Sequence, residues 1–566
     1  MRTFNRLSTL TLALAFAAAP ALAADKGKSA DPKPAADASA DGKDKPTTLF
    51  SPHSVTTSGS VTAGGQRVDY KAVAGTLVIH PADYDDAAWR AQAEKDRDPA
   101  AAPPEASMFY VAYFKNGAPS ASRPITFLYN GGPGSPTVWL HMGAFGPRRV
   151  VTMDDSHTPA APYRIVDNAS SLLDATDLVF IDAPGTGFSR ITGKDKEKAF
   201  FGIDADAHAF ANFIRQFLSQ YGRWNSPKFL FGESYGTPRS AVLVNELAAG
   251  DNIDMNGVVL LSQILDFNLF AGLQQANPGN VEGYVVQVPT FAATAWYHNH
   301  LPAGRPAELE PFLAEVEKFA TTDYAAALAQ GSEIDPKTKQ AVAERLSRYI
   351  GLPASFILKA DLRIDGPTFS KHLLEDQGLT TGRLDSRFAG PDLDPLSKDA
   401  EYDPMDAAIS SAYVTAFNAY ARDTLNWGHD QEFKTAINAF PVWDWSHSPP
   451  GQPFAFKMVG TSVMGDIANA MKMNPGLKVL VAGGYYDLGT PFYQGWYEMH
   501  HLPVPAALQA NIDYRYYPSG HMVYSHEESL RKLHDDVAAF IRRNSGEQAV
   551  DFRLYGEKVE KRRGAK

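Results

Sequence analysis

Five consecutive residues, Gly232-Glu233-Ser234-Tyr235-Gly236, form a pattern that can present a reactive serine. The apolar run at 228–231 before it predicts a β-strand, and residues 237–247 after it predict a helix. A sharp turn from strand into helix lifts the serine oxygen out of the backbone and leaves no room for side chains at the glycines. Ser234 is therefore our candidate nucleophile, and a serine in a structural turn is the alternative.

A serine hydroxyl needs a neighbouring base, and the base needs a partner that fixes its tautomer. His521 is the best placed of the 15 histidines, because it lies in a loop between a strand-like run at 513–517 and a predicted final helix at 527–542. Asp487 follows the predicted strand at 478–482 and is the candidate orienting acid. The alternatives are a solvated loop histidine and a capping or turn aspartate.

The reaction of a serine with a carbonyl also needs two backbone N–H groups that stabilise the developing oxyanion. One donor is expected at Tyr235, the residue after the nucleophile. A glycine-rich loop at 130–134 follows the predicted strand at 125–129 and supplies the other donor. We favour Gly132, with Gly131 as the alternative. The loop lacks the Lys-Ser/Thr pair of a phosphate-binding loop and the spacing of a dinucleotide fingerprint.

The elements around these residues alternate between strand and helix. Apolar runs at 178–181 and 257–261 predict buried strands, and residues 205–221 predict a helix with one apolar face. This alternation predicts an α/β fold with a mostly parallel sheet flanked by helices, whose site lies at the carboxyl ends of the strands. Residues 268–423 are helical in pattern, Ala-rich and dotted with Pro. We interpret them as an inserted helical cap, with a separate tandem domain as the alternative.

The first part of the chain carries more local signals. Residues 49–80 predict strands that turn at Gly64-Gly65, and the charged residues 83–98 predict a helix. The predicted strands at 108–114 and 125–129 are joined by a segment with the turn signal Asn116-Gly117, which favours a hairpin.

The N-terminal residues have the features of a secretory signal. Arg2 and Arg6 precede an apolar run at 10–18, and Ala21-Leu22-Ala23 predicts cleavage after Ala23. The run is too short for a membrane span, and a short buried helix is the alternative. We expect a periplasmic or secreted protein.

The remaining domain boundaries follow from composition. Residues 24–47 are mostly Ala, Lys, Asp and Pro, and predict a disordered linker or a short propeptide. The catalytic core is then expected to comprise 48–267 and 424–566. Within it, the aromatic cluster at 440–447 either lines a substrate cleft or packs the cap on the core; we favour packing.

Charge and cysteine content exclude several classes of partner. Loss of Arg2 and Arg6 would change the formal net charge from −11 to −13, two positive charges fewer, which argues against nucleic acid. The chain has no cysteine, hence no disulfide, thiol nucleophile, thiolate metal site or lipidated N-terminal cysteine. The histidines at 298, 300, 500 and 501 lack metal-binding spacing. We expect no cofactor, metal or membrane anchor; no oligomeric state is predicted.

Several short motifs occur together in one order. They are Asn-Gly-Gly-Pro-Gly at 130–134, Gly-Pro at 146–147, Phe-Ile-Asp-Ala-Pro-Gly-Thr-Gly-Phe-Ser at 180–189, Gly-Glu-Ser-Tyr-Gly at 232–236 and Gly-His-Met at 520–522. From about residue 125 onward this set resembles the serine carboxypeptidase family, peptidase family S10. The resemblance implies an α/β-hydrolase fold with a helical cap and a triad of Ser234, Asp487 and His521. It also implies release of C-terminal residues from peptides, usually favoured at acidic pH.

The resemblance also implies a site for the terminal carboxylate of the substrate. Asn130 and Glu233 match the family positions that bind this group. A protonated carboxylic acid can donate a hydrogen bond to a carboxylate, whereas two carboxylates repel each other. Peptide binding at low pH is therefore expected.

The chain departs from the family pattern at three places. The second Glu of the carboxylate site is replaced by Ala144, and the usual Cys is Ser135. Arg148 or Arg149 after the Gly-Pro could bind a carboxylate instead, since guanidinium groups do so in bidentate fashion. Exposed solubilising arginines are the alternative, which we favour.

The leading hypothesis is an exported serine carboxypeptidase-like hydrolase that acts on peptides through an acyl-enzyme. An esterase or acyltransferase on the same triad is the second hypothesis, because Ala144 weakens the expected carboxylate site. A non-catalytic binding protein on this fold is the third hypothesis, against which the presence of Ser, Asp and His argues.

Overall fold

The computed structural model describes residues 50–270, 277–452 and 461–546, so the predicted signal at 1–23 and linker at 24–47 lie outside the described residues. The strands are β1 His53–Ala63, β2 Gln66–Ile79, β3 Glu105–Lys115, β4 Ile125–Tyr129, β5 Arg148–Val150, β6 Ile165–Asp167, β7 Asp177–Ile181, β8 Arg190–Thr192, β9 Lys228–Glu233, β10 Gly257–Leu261, β11 Leu379–Thr381, β12 Ala389–Pro391, β13 Lys478–Gly484 and β14 Ile512–Tyr517.

The helices alternate with these strands along most of the chain. They are α1 Ala87–Arg90, α2 Lys196–Phe200, α3 Ile203–Tyr221, α4 Gly236–Ala249, α5 Glu282–Val285, α6 Val288–Tyr297, α7 Leu309–Phe319, α8 Ala325–Ala329, α9 Pro336–Ile350, α10 Ala354–Lys359, α11 Gly366–His372, α12 Pro404–Asp423, α13 Met464–Met473, α14 Phe492–His500, α15 Ala506–Gln509 and α16 Glu527–Arg543. Within the three described ranges, none of them has the length and apolar run of a membrane span.

Ten strands form one sheet in the order β1-β2-β3-β7-β4-β9-β10-β13-β14, with β8 beside β3. In this order the strands from β7 to β14 are parallel to one another, whereas β1, β2 and β3 pair in antiparallel fashion and β3 is also antiparallel to β7. In this order β7 lies on one side of β4 and β9 lies on the other. The connections that follow β4 and β7 therefore run in opposite directions, and a crevice is expected at the carboxyl end of β4. The predicted α/β class with a mostly parallel sheet is confirmed.

The predicted hairpin between β3 and β4 is wrong. β7 lies between them, antiparallel to β3 and parallel to β4. All of the β7 side chains are buried, and a strand that is apolar on both faces is more stable inside a sheet than at its edge. The Asn116-Gly117 turn therefore starts a longer connection that crosses the end of β7.

The predicted helix at 83–98 is confirmed only in part. The segment contains the four-residue helix α1 and a single 3₁₀ turn at Glu94–Asp96, and neither has a buried residue. A longer helix would need an apolar face to pack against the sheet, and this charged segment has none.

Apolar side chains on the two faces of the sheet form two separate cores. One face packs against α12 and α16, and the other packs against α3, α4 and α13. On α3 the predicted apolar residues, Phe210, Phe213, Ile214 and Phe217, are all buried. These two layers of helices hold the strands, and therefore the loops at their carboxyl ends, in fixed positions.

The long segment between β10 and β13 has a core of its own. Helices α5 to α11 pack with one another and with Tyr486, Leu488, Phe492 and Tyr493, which follow β13. Helix α12, by contrast, shares the core of the sheet. The predicted cap boundaries at 268 and 423 stay a prediction, but the packing divides the segment before α12.

A buried ion pair ties the amino ends of the parallel strands together. Arg223 lies 2.6 Å from Asp177 at the start of β7, and it also donates to the carbonyl of Arg123 at 2.7 Å. Arg123 also pairs with Asp177, at 3.2 Å. Removing Arg223 therefore leaves the buried carboxylate with one of its two counterions, and the carbonyl of Arg123 without this donor.

We expect Arg223→Met to lower the free energy of unfolding by about 3–5 kcal/mol. Arg148→Met is the matched control: its ion pair with Asp167 is largely exposed, and its loss should cost less than about 1 kcal/mol. Urea unfolding followed by circular dichroism measures both. Equal small losses for the two variants would contradict the prediction.

Candidate active site

Ser234 lies on the turn between β9 and α4, as predicted. Its φ is +61°, a left-handed conformation that costs energy for a residue with a side chain. A Cβ atom at Gly232 would lie 2.1 Å from the carbonyl oxygen of Gly236, and one at Gly236 would lie 2.9 Å from that of Tyr129. The glycines are therefore required by close backbone contacts, and the turn projects Ser234 beyond the sheet.

Asp487 and His521 lie together in the loops that follow β13 and β14. Oδ2 of Asp487 is 2.7 Å from Nδ1 of His521. The carboxylate also accepts hydrogen bonds from the backbone N–H groups of Gly489 and Thr490, at 2.8 and 2.9 Å, and from the Thr490 hydroxyl at 2.7 Å. These bonds fix the carboxylate, which in turn assigns the proton to Nδ1 and leaves Nε2 to act as the base.

Ser234 and His521 are connected through the residue after β10. The N–H of Ser234 donates to the carbonyl of Leu261 at 3.0 Å, and the hydroxyl of Ser262 donates to the carbonyl of His521 at 2.6 Å. Among the residues that the structure describes, no hydrogen bond joins the Ser234 hydroxyl directly to His521. Catalytic hydrogen bonds are often long without substrate and tighten when it binds.

The environment of His521 favours its charged form. Burial alone disfavours the imidazolium, but the charge of Asp487 and the hydrogen bond to it outweigh this effect, and the pKa of His521 is raised. The charge of Glu233 acts in the same direction, and that of Arg383 opposes it. His521 is therefore a stronger base than a free histidine, as a group that accepts the serine proton needs to be.

The glycine-rich loop packs directly against the serine turn. A Cβ atom at Gly131 would lie 2.3 Å from the backbone nitrogen of Tyr235. Gly132 has a φ of +112° and precedes Pro133 through a cis peptide bond. Within the described ranges, the N–H groups of Tyr235 and Gly132 donate to no protein acceptor. Both predicted donors are thus available at the carboxyl ends of β4 and β9.

Asp182 explains the motif at 180–189. Its carboxylate accepts from the N–H of Thr137 at 2.8 Å and from that of Phe188 at 3.3 Å, which joins this loop to the glycine-rich loop. A Cβ atom at Gly187 would lie 1.9 Å from the Asp182 carboxylate. Burial raises the pKa of Asp182 to about 7. The motif therefore supports the oxyanion loop and does not enter the site itself.

Asn130 and Glu233, the predicted carboxylate-binding pair, are buried together with a third residue that the sequence did not indicate. The hydroxyl of Tyr524 lies 2.9 and 3.1 Å from the two carboxyl oxygens of Glu233. The side chain of Asn130 is close enough to Glu233 to lower the pKa of the acid. Its own oxygen accepts from the N–H of Leu140 at 3.0 Å, so the amide NH₂ is the group that faces Glu233.

The protonation of Glu233 is balanced near neutral pH. Burial raises the pKa of Glu233 to about 7, against the lowering effects of the His521 charge, of the hydrogen bond from Tyr524 and of the Asn130 side chain. Below this pH the carboxyl group is neutral and has a proton to donate. A buried acid next to the nucleophile is thus able to hydrogen-bond an anion.

The positions at which the chain departs from the family have structural roles. Ala144 is buried in a π-helical turn, Leu140–Phe145. Ser135 accepts a hydrogen bond from Trp139 at 3.0 Å. Arg148 and Arg149 are each paired with a carboxylate, at 2.6 Å from Asp167 and from Glu527 respectively. The side chain of Arg148 is 41% exposed and that of Arg149 only 18%, so the interpretation of the two as exposed arginines stays a prediction.

The aromatic cluster at 440–447 packs against the predicted oxyanion donor. Trp443 donates to the hydroxyl of Tyr235 at 3.0 Å, with the two rings 5.2 Å apart and nearly perpendicular. His447 lies 2.5 Å from Asp204 and 2.8 Å from Asp466; these carboxylates overcome the effect of burial and raise its pKa to about 9. The cluster therefore packs Tyr235 against the core helices α3 and α13, and the predicted packing of the cap on the core stays a prediction.

The strand order and the Ser, Asp, His residues at strand ends define an α/β-hydrolase fold with a serine site. The model of the serine carboxypeptidase family matches residues 100–275 and confirms the predicted resemblance there. The matched span contains the glycine-rich loop and the serine turn, whereas Asp487 and His521 lie beyond it. A search of the curated proteins found no match. The family match and the fold together identify a serine hydrolase.

Solved structures similar to the chain have little sequence identity with it. A proline iminopeptidase of Mycobacterium smegmatis is 13% identical, with 86% of this chain and 99% of that chain covered at a TM-score of 0.30. A peroxisomal α/β-hydrolase of Saccharomyces cerevisiae is 10% identical, with 92% and 98% covered at 0.28. A monoglyceride lipase of the same yeast is 12% identical, with 78% and 93% covered at 0.30. The fold class rests on the strand order of the chain itself.

We expect Gly131→Ala to slow the labelling of Ser234 by a fluorophosphonate about 10²–10³-fold, since its Cβ would displace the N–H of Tyr235. Gly483→Ala is the control, because the nearest atom to its Cβ is 3.8 Å away. The labelling rate is measured on variants with a native circular dichroism spectrum. A folded Gly131→Ala protein that labels at the parent rate would rule out this placement of the oxyanion donor.

Proposed function

We propose that the protein is a serine carboxypeptidase that releases C-terminal residues from peptides. Ser234 attacks the scissile carbonyl while His521 takes its proton, and His521 then returns the proton to the leaving amine. Asp487 orients His521 and stabilises its charged form. The N–H groups of Tyr235 and Gly132 bind the oxyanion, and water hydrolyses the acyl-enzyme.

The observation that carries this proposal is the buried carboxyl group of Glu233 beside the nucleophile. A buried acid is costly unless it has a use, and this one has a pKa of about 7. When neutral, it can donate a hydrogen bond to the terminal carboxylate of a peptide, with Asn130 beside it. Recognition of a free carboxylate one residue beyond the scissile bond is what distinguishes a carboxypeptidase from an endopeptidase.

Tyr524 supplies Glu233 with a hydrogen-bond partner, which Ala144, in place of the family's second glutamate, cannot do. Its phenol contacts both oxygens of Glu233, and burial holds its pKa well above the usual value, so it remains a neutral donor. A Cβ atom at Gly143 would lie 2.6 Å from the Tyr413 ring and 2.8 Å from that of Tyr524. The small residues at 143 and 144 thus make room for tyrosine rings where the family has a second glutamate.

The proposal is tested with a blocked dipeptide that has a free C-terminal carboxylate and with its C-terminal amide, from pH 4 to 8. We expect the free acid to be cleaved at least about tenfold faster, because a carboxylate accepts a stronger, charge-assisted hydrogen bond from neutral Glu233 than an amide does. Ser234→Ala should be inactive on both peptides. Equal or faster cleavage of the amide would overturn the assignment.

An esterase or acyltransferase on the same triad is the second candidate, and the observation in its favour is the loss of the family's second Glu at Ala144. If the protein is an esterase or acyltransferase, the methyl ester of the peptide should react as well as the free acid at every pH. Glu233→Gln should then leave the reaction of the ester unchanged. Labelling of Ser234 by a fluorophosphonate would separate both candidates from a non-catalytic binding protein.

The ratio of kcat/KM for the free acid to that for the methyl ester isolates the titration of Glu233, because the contribution of His521 cancels. Glu233 is neutral below its pKa, so this ratio should fall as the pH rises through about 7. Tyr524→Phe removes a hydrogen bond that favours the charged form, and should move the fall to higher pH.

Two variants control this pH profile. Glu233→Gln cannot ionise, so its ratio should be independent of pH. Tyr349→Phe removes a similar hydrogen bond to Glu315, of 2.6 Å, in the helical insertion, and should leave the profile unchanged. A profile that Tyr524→Phe does not move would show that the Tyr524 hydroxyl is not part of the carboxylate site.

Export completes the proposal. The positive residues, apolar run and Ala-x-Ala site at 1–23 support cleavage after Ala23 and a periplasmic or secreted enzyme. N-terminal sequencing of the protein from a bacterial host checks this: a mature chain that begins at Ala24 supports it, and an uncut chain opposes it.

A further inference from the structure

One loop of the helical insertion lies between the two loops that carry the acid and the base. Residues 382–388 connect β11 to β12, which pair as a hairpin, and the N–H of Gly382 donates to the carbonyl of Phe388 at 2.8 Å. We call this segment the 382–388 loop. No part of the family match covers it, since that match ends at residue 275.

On one side the loop bonds to the residues that flank Asp487. The carbonyl of Arg383 accepts from the N–H of Leu488 at 3.0 Å. Ser386 donates to the carbonyl of Tyr486 through both its N–H, at 2.9 Å, and its hydroxyl, at 3.0 Å. The backbone before and after Asp487 is thus held by the same loop.

On the other side the loop bonds to His521 and the residue before it. The carbonyl of Leu384 accepts from the N–H of His521 at 2.6 Å, and the Asp385 carboxylate accepts from the N–H of Gly520 at 3.1 Å. A Cβ atom at Gly520 would lie 2.4 Å from the Cβ of Asp385. The contact is therefore so close that only glycine fits.

A buried ion pair fixes the shape of the loop. Arg387 binds Asp385 through two nitrogens, Nη2 at 2.5 Å from Oδ2 and Nε at 3.0 Å from Oδ1. Burial works against the charge of Arg387, but Asp385 outweighs it and raises the pKa of Arg387. The planar guanidinium holds the loop through this two-nitrogen contact, and Asp385 Oδ2 also accepts from the N–H of Gly520.

We propose that Asp385 is a positioning residue for His521 and that the 382–388 loop sets the distance between Asp487 and His521. The two groups lie on loops after different strands, which also contact each other directly through the N–H of Tyr486 and the carbonyl of Ser519, at 3.0 Å. The 382–388 loop adds bonds to the backbone on both sides of Asp487 and to the N–H of His521 itself. A catalytic pair must be held to within about 0.5 Å, and displacements of about 1 Å cost about 10²-fold in rate. The inference rests on the proposed triad and goes beyond it, since it assigns a catalytic positioning role to the insertion.

Asp385→Asn is the direct test, because the amide has the same shape and lacks the charge that holds Arg387. We expect kcat for the blocked dipeptide to fall about 10- to 10²-fold, with KM changed less than about twofold. We also expect the low-field proton resonance of the His521 Nδ1–H, which reports the hydrogen bond to Asp487, to move upfield or broaden. The rate of fluorophosphonate labelling should fall in parallel with kcat.

Asp177→Asn is the matched control. It removes the charge from another buried Asp–Arg pair, at the opposite ends of the strands, so it should destabilise the fold without changing the resonance or kcat. An Asp385→Asn protein with parent kcat and an unmoved resonance would overturn the inference. Failure of the parent protein to react with the fluorophosphonate would instead overturn the proposed function.

Ser386→Ala gives a second, milder test if Asp385→Asn does not fold. It removes the hydroxyl bonds to the carbonyl of Tyr486 and to the Thr294 hydroxyl, at 3.0 and 2.6 Å, and leaves the backbone bond to Tyr486 in place. We expect a fall in kcat of about two- to fivefold and a smaller shift of the same resonance. An unchanged resonance in a folded Ser386→Ala protein would count against the loop as the element that sets the distance.

Discussion

The hydrogen bond between Asp487 and His521 is the interaction on which the site depends. It joins two side chains that are both buried, and the Asp487 carboxylate is fixed further by hydrogen bonds from Gly489 and Thr490. The bond requires that β13 and β14 be parallel neighbours, since only then do their carboxyl ends, and the loops that follow, meet at one edge. The rest of the sheet brings Ser234 to that same edge through β9 and β10. The order of the strands is thus the precondition for the chemistry.

Three separate segments hold the reacting groups, and each does so by backbone contact. The serine turn is fixed by glycines that leave no space, the glycine-rich loop is supported by Asp182, and the acid and base loops are bridged by the 382–388 loop. The helical insertion therefore contacts the loops that carry the candidate acid and base. Most of its helices form a core of their own, while the loop of its β11–β12 hairpin contacts the residues around Asp487 and His521.

Two titrating groups of opposite charge share this small volume. Glu233 and His521 influence each other, as the pKa of the acid is lowered by the histidine and that of the histidine is raised by the acid. Hydrolysis needs His521 neutral, and binding of a carboxylate needs Glu233 neutral, so the useful pH lies where both conditions hold. Burial raises the pKa of Glu233, and Tyr524 lowers it in part, because a neutral phenol stabilises the charged form of the acid without adding a charge of its own.

The sequence by itself determined the local features: the serine turn with its strand and helix, the glycine-rich loop, the α/β class and the candidate acid and base. Each of these features is predicted by neighbouring residues, namely by glycines, by apolar periodicity and by chain order. The sequence did not determine that β7 separates β3 from β4, because pairing is decided by burial on both faces and not by a turn signal. Nor did it indicate Thr490, Tyr524 or Asp385 as partners of the site. Tyr524 and Asp385 lie far along the chain from the residues they bond, and such contacts form only when the sheet brings distant loops to one edge, which no local pattern encodes.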